Sequence, residues 1–286
     1  MGAVGKGLSV TTEELTGQPA INRTGWWLFI LVILAAITVT EWVFAYKDVA
    51  YGIGLALFVA IGIYLFISLT RLGQPITNCA ESLVLIPLYI LFTSSLPWFF
   101  INQQYLLPAV YSAIIALCVW HVYQKKLSLR EIFGFVGEEG KFNSAFRSRI
   151  LKFILMGVVI GIPVGAAEYF VIRPAPAFPA FEVRYLFRDL FYMFCFVGLA
   201  EELLFRGLVQ RDLMKAFGWK QGIVLASLTF AVMHLTWRSI PELVFVFVVG
   251  LILGYVYYRT KNLVAPIIIH GAGNVVLVGV MPYLMG

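Results

Sequence analysis

Leu199 to Arg211 reads L-A-E-E-L-L-F-R-G-L-V-Q-R, two carboxylates and a guanidinium set inside apolar sequence. Helical spacing puts Glu202 and Arg206 four residues apart on one face, acid before base, the order that suits an intrahelical ion pair. Glu201 then points about a quarter-turn away. In lipid a buried charge is costly unless it is paired or functional, so the stretch suggests one acid held by Arg206 and one left free for chemistry.

The rest of the composition says that lipid is the right setting. Of 286 residues 61% are hydrophobic and only 13% charged, which excludes an ordinary soluble domain. The net charge of +6 does not point to nucleic acid, because the basic residues fall in short loops between apolar runs, where orientation signals belong. Cys79, Cys118 and Cys195 show no metal or redox spacing and read as buried packing residues. No signal peptide is expected, since the first apolar run is too long for one, and M-G-A-V-G-K lacks the hydroxyl residue of a myristoylation site. Thr11 to Glu14 fits the cap of a short surface helix.

Apolar runs at 25–45, 49–69, 83–101, 106–123, 150–172, 189–209, 221–237, 241–258 and 263–283 are each near the ~20 residues a span requires. The expectation is an all-α polytopic bundle of eight or nine spans. Alternating the loops places fifteen Lys and Arg on one side and five on the other, which predicts a cytoplasmic N-terminus. Residues 124–149, with the amphipathic piece L-S-L-R-E-I-F at the cytoplasmic surface, divide a segment of four helices, 1–123, from a segment of five, 150–286. The Pro-rich loop 173–188 reads as an extended connector or a lid.

Two of the three histidines sit in apolar C-terminal helices. Phe230 and His234 are spaced i,i+4, as are His270 and Asn274, and Gly271 and Gly273 would let a neighbouring backbone or a peptide approach. Alone, each pair reads more readily as a bond between helices than as a catalytic site. Three such groups on successive helices point to a site. A poorly solvated carboxylate is a competent base toward water, and His or Asn can donate to a developing oxyanion. No Ser or Cys nucleophile stands beside a base, so the chemistry suggested is attack by an activated water on an acyl carbon. Two imidazoles and a carboxylate also fit a zinc site, although H-E-x-x-H is absent. Glu41, Glu168 and His121 read as interfacial, and Arg211, Asp212 and Lys215 as a solvated helix extension.

E-E-x-x-x-R (Glu201, Glu202, Arg206), F-x-x-x-H (Phe230, His234) and H-x-x-x-N (His270, Asn274), in this order, resemble the three motifs of the CAAX protease and bacteriocin-processing family. These are intramembrane glutamate proteases that include the Ras-converting enzyme. The resemblance covers roughly residues 150–286. It implies a catalytic core in the C-terminal helices, with Glu201 the base that activates water and His234 helping to hold that water. His270 and Asn274 would form the oxyanion hole, and Glu202 and Arg206 would orient the site. All six positions are intact.

The resemblance implies a multi-pass peptidase of a prokaryotic cell membrane that needs no cofactor, with a membrane-associated peptide or protein as substrate and the bilayer as its other partner. The alternatives are a zinc-dependent protease with Glu201, His234 and His270 as ligands, and a non-catalytic membrane protein such as a bacteriocin-immunity factor or transporter. A transporter would be expected to show paired halves, whereas this chain shows one half with motifs and one without. One feature of the span assignment is discordant. Glu201 and His270 come out about 11 Å deep and His234 nearer ~20 Å.

Overall fold

The computed structural model describes residues 22–96, 101–128, 132–134 and 144–285, and no strand occurs among them. The first four long helices are α1 (Arg23–Tyr46), α2 (Val49–Leu69), α3 (Gln74–Ser94) and α4 (Leu106–Gln124). After these come α5 (Ser144–Ile172), α6 (183–217), α7 (Trp219–Val232), α8 (Ile240–Thr260) and α9 (Val264–Met285). By length and composition seven of them can cross a bilayer. The protein is therefore an all-α polytopic bundle. Large apolar side chains such as Phe58 of α2 and Val159 of α5 stand exposed on its outer surface, as expected of a lipid-facing wall.

Two helices depart from the expected spans in ways that position the site. α6 does not stop at Val209. It runs on to Phe217, and the polar residues that would have argued for an end in solvent are buried and paired. Arg211 donates to Asp212 at 2.9 Å, and Ser82 of α3 donates to the same carboxylate. Only Lys215 is exposed, so the solvated extension expected here is corrected for Arg211 and Asp212. α7 has 14 residues, about 21 Å of helix against a hydrocarbon core of ~30 Å. It ends at Val232, where a tight turn and the 3₁₀ segment Leu235–Trp237 take over.

Together these resolve the discordant depths. Glu201 lies sixteen residues before Phe217 and His234 sixteen after Gly218, the residue at φ +94° that reverses the chain. Both therefore sit about 24 Å along their helices from one turn. His270 is only six residues into α9, but that helix begins inside the bundle, where Asn262, Leu263 and Ala265 are all buried.

α3 spans Gln74–Ser94 rather than 83–101. Pro75 at its first turn is a start signal, and its polar residues are matched inside the bundle, Ser82 by Asp212 and Glu81 by Lys125. A hydropathy window penalises those residues although the fold satisfies them. His121 is likewise buried rather than interfacial, and Cys195 is exposed while Cys79 and Cys118 are buried. In the amphipathic piece Ile132 is fully buried, and Phe133 and Gly134 accept from Leu263 N and Asn262 Nδ2, so this end docks on the turn before α9. Residues 129–131 and Thr11 to Glu14 lie outside the described residues. In the Pro-rich loop, Phe178 N donates to Tyr283 and its ring stacks on Tyr185 at 3.7 Å, while helix already begins at Val183. That segment is pinned to the ends of α6 and α9.

Glycines bring α5 and α9 together. Gly157, Gly161 and Gly165 recur every fourth residue of α5. A Cβ on Gly161 would meet the Ala272 side chain at 2.8 Å and the Gly273 backbone at 3.2 Å, and one on Gly165 would strike Gly273 itself. Small residues at this spacing let two membrane helices touch backbone to backbone. Gly161→Leu and Gly165→Val should each lower the thermal midpoint of the detergent-solubilised protein, by the equivalent of about 2 kcal/mol or more. Gly62→Ala, where a Cβ meets open space, should leave the midpoint unchanged.

Candidate active site

α6 carries the two adjacent acids on a single α-helical turn, Leu199–Glu202, between π-helical stretches Met193–Gly198 and Leu203–Gln210. Such π segments are rare and gather at functional sites, because each shifts the helix faces that follow it. On the near side, Gly198 brings α6 close to the Ile267 carbonyl of α9, and Gly271 of α9 has room only for the ring of Phe194. The acids thereby come within reach of His270.

Glu202 is completely buried and accepts twice on one oxygen, from Arg206 at 3.0 Å and from His270 Nδ1 at 2.7 Å. Arg206, 1% exposed, extends over the ring of Phe230 at 4.4 Å and points its second nitrogen to the Gly250 carbonyl of α8 at 3.5 Å. This geometry ties α6, α7, α8 and α9 together through one guanidinium.

Glu201 has a different environment. Its Oε1 accepts from the Tyr111 hydroxyl of α4 at 2.8 Å, and its Oε2 has no hydrogen-bond partner. That free oxygen stands 3.7 Å from His270 Nε2, too far for a hydrogen bond. His234 places its Nδ1 2.9 Å from the Phe230 carbonyl, a contact that puts the proton on Nδ1 and turns Nε2 away as the acceptor. The Phe230 ring lies 4.8 Å from His234 and 5.9 Å from His270, edge-on to both.

Glu201, His234, His270 and Asn274 all line one cavity of about 280 Å³ among α4 to α9. Glu202 and Arg206 lie behind it. Glu168 of α5 also lines this cavity, so its interfacial reading is corrected, and its carboxyl faces that of Glu242 of α8. Among the described residues no group of three or more His, Cys, Asp and Glu side chains is placed to hold a metal ion.

Sequence reasoning missed Tyr111, Glu168 and Glu41 as wall residues, and with them the part the N-terminal helices play. Glu41 is 2% exposed in α1, not interfacial, and lines a second cavity on the other side of Glu201. Tyr111 carried no signal, because it is the sixth residue of α4, near the helix end where membrane tyrosines are ordinary.

The bundle sets acids and imidazoles around one cavity. Residues 184–276 match the family model described as Rce1-like, type II CAAX prenyl endopeptidase Rce1-like. No curated protein and no solved structure matches the chain. That segment, about a third of the chain, is what the protein has in common with the CAAX protease family.

The burial of Glu202 and Arg206 makes a stability prediction. Arg206→Met should destabilise the protein by about 3–5 kcal/mol, because a fully buried carboxylate loses its countercharge. Thermal unfolding in detergent of Glu202→Gln with Arg206→Met should show much of that loss recovered.

Proposed function

We propose that the protein is an intramembrane endopeptidase that hydrolyses a peptide bond of a membrane-associated peptide or protein by glutamate-activated water. The observation that carries this reading is the unequal treatment of Glu201: one oxygen is held by Tyr111, and the other is unpartnered on a cavity shared with His234, His270 and Asn274.

In the proposed reaction Glu201 Oε2 takes a proton from water that His234 Nε2 helps to position, and the water oxygen bonds to the scissile carbonyl carbon. The carbonyl oxygen becomes an oxyanion stabilised by the Asn274 amide and by His270 Nε2, which serves as a donor when both ring nitrogens carry protons. Glu202 accepts from His270 Nδ1 and so fixes that ring, while Arg206 fixes Glu202. On collapse the carbon–nitrogen bond breaks, and Glu201 returns its proton to the departing amine.

We take the reaction to need no metal. The competing reading, zinc on Glu201, His234 and His270, requires those side chains to draw together around an ion, and metal analysis of active protein decides between them. We also take the end of the bundle that holds Arg23 as cytoplasmic, on the bias of basic residues. Residues 150–286 form the proposed catalytic unit, with α1, α3 and α4 completing its walls.

With reconstituted protein and a cleavable substrate, Glu201→Gln should lower kcat/KM by about 10³-fold or more, and Asn274→Ala by about 10²- to 10³-fold. Tyr111→Phe should cost roughly 10-fold, the loss of one hydrogen bond to a charged group. Full proteolysis by Glu201→Gln would overturn the assignment of the base.

A further inference from the structure

The second cavity, of about 240 Å³, lies among α1, α3, α4, α6 and the end of α7. It shares Tyr111, Glu201, His234 and Trp237 with the first, so the reacting groups form a partition between two chambers. The proposed mechanism uses only one of them.

Glu41 lines this second chamber, 2% exposed, and its Oε1 has no hydrogen-bond partner. An acid in the middle of apolar sequence is expensive to retain unless something matches it. Among the described residues no Lys or Arg lines the chamber, and Arg238 at the neighbouring turn donates instead to the Ala45 carbonyl at 2.8 Å. The remaining walls mix aliphatic side chains with aromatic ones, Phe44, Tyr89, Tyr111 and Trp237 among them.

A carboxylate acceptor framed by aromatic rings is a setting that takes an ammonium or guanidinium group. The acid supplies the countercharge, and the rings supply cation–π contact and apolar surface for the alkyl stem. At ~30 Å³ for each water, the chamber has room for about eight, enough for a long side chain with some water retained.

We propose that this chamber is a subsite for a basic residue, Lys or Arg, flanking the scissile bond of the substrate and held by Glu41. The proposal rests on the protease reading, because a peptide whose carbonyl meets Glu201 has a neighbouring side chain on the far side of that partition.

The test uses full-length protein in liposomes and a library of membrane-associated peptides, with and without a prenylated cysteine. Lysine or its uncharged isostere norleucine is placed at each of the three positions on either side of the bond. The expected result is a preference for lysine of about tenfold or more in kcat/KM at one position, collapsing to within about twofold in Glu41→Gln. Equal cleavage of both peptides at every position, or a preference that survives Glu41→Gln, overturns the subsite and leaves the protease reading standing.

If no peptide is cleaved, the protease reading fails, and binding to Glu201→Gln protein decides the subsite. Tighter binding of the lysine peptide that is lost when Glu41→Gln is added upholds it, and equal affinity overturns it. Should Glu41→Gln not purify as a folded protein, n-butylammonium and n-butanol are compared as competitors of lysine-peptide binding. Competition by the ammonium alone supports the subsite, and any other outcome overturns it.

Discussion

One carboxylate oxygen organises the C-terminal half of this protein. Glu202 Oε1 receives both Arg206 and His270, and neither partner has another carboxylate within hydrogen-bond distance. Remove that acceptor and Arg206, stretched across Phe230 toward α8, is a cation enclosed by helices with nothing to neutralise it. His270 then loses the bond that sets its ring plane. A buried ion pair is weak as a source of stability but strong as a constraint, because few arrangements of four helices satisfy it. The difference between two adjacent glutamates follows from this. The one in the interior is spoken for, and the one turned to the cavity is left with an open oxygen.

Much of this site was legible in the amino-acid sequence. The pairing of Glu202 with Arg206 follows from i,i+4 spacing, and the shared faces of Phe230 with His234 and of His270 with Asn274 follow from the same rule. The all-α polytopic bundle follows from the apolar runs. The errors at the helix ends share one cause. Asp212, Ser82, Glu81 and His121 are polar, and a window of hydropathy treats polarity as contact with water. In the folded bundle Asp212 is matched by Arg211 and Ser82, and Glu81 by Lys125. Ending α6 at Val209 moved Glu201 away from the level of His234 by about 9 Å.

The contribution of the N-terminal helices was not legible for a different reason. Tyr111, Tyr89 and Glu41 come from three helices, and no spacing within any one of them records that they line a cavity with Glu201. Only the packing brings them there. The partition between two chambers is likewise a property of assembly, since Glu201 and His234 look into both.

The glycine contact between α5 and α9 bears on how the walls of the site are held. Where two backbones touch, there are no rotamers to exchange, and the pair has a single seating. The wall that presents His270 and Asn274 is thus held rigid. The opposite wall is closed by the side chains of Tyr111, Phe230 and Trp237. The seating of His270 and Asn274 is set by a contact between main chains, and that of the facing wall by the packing of side chains.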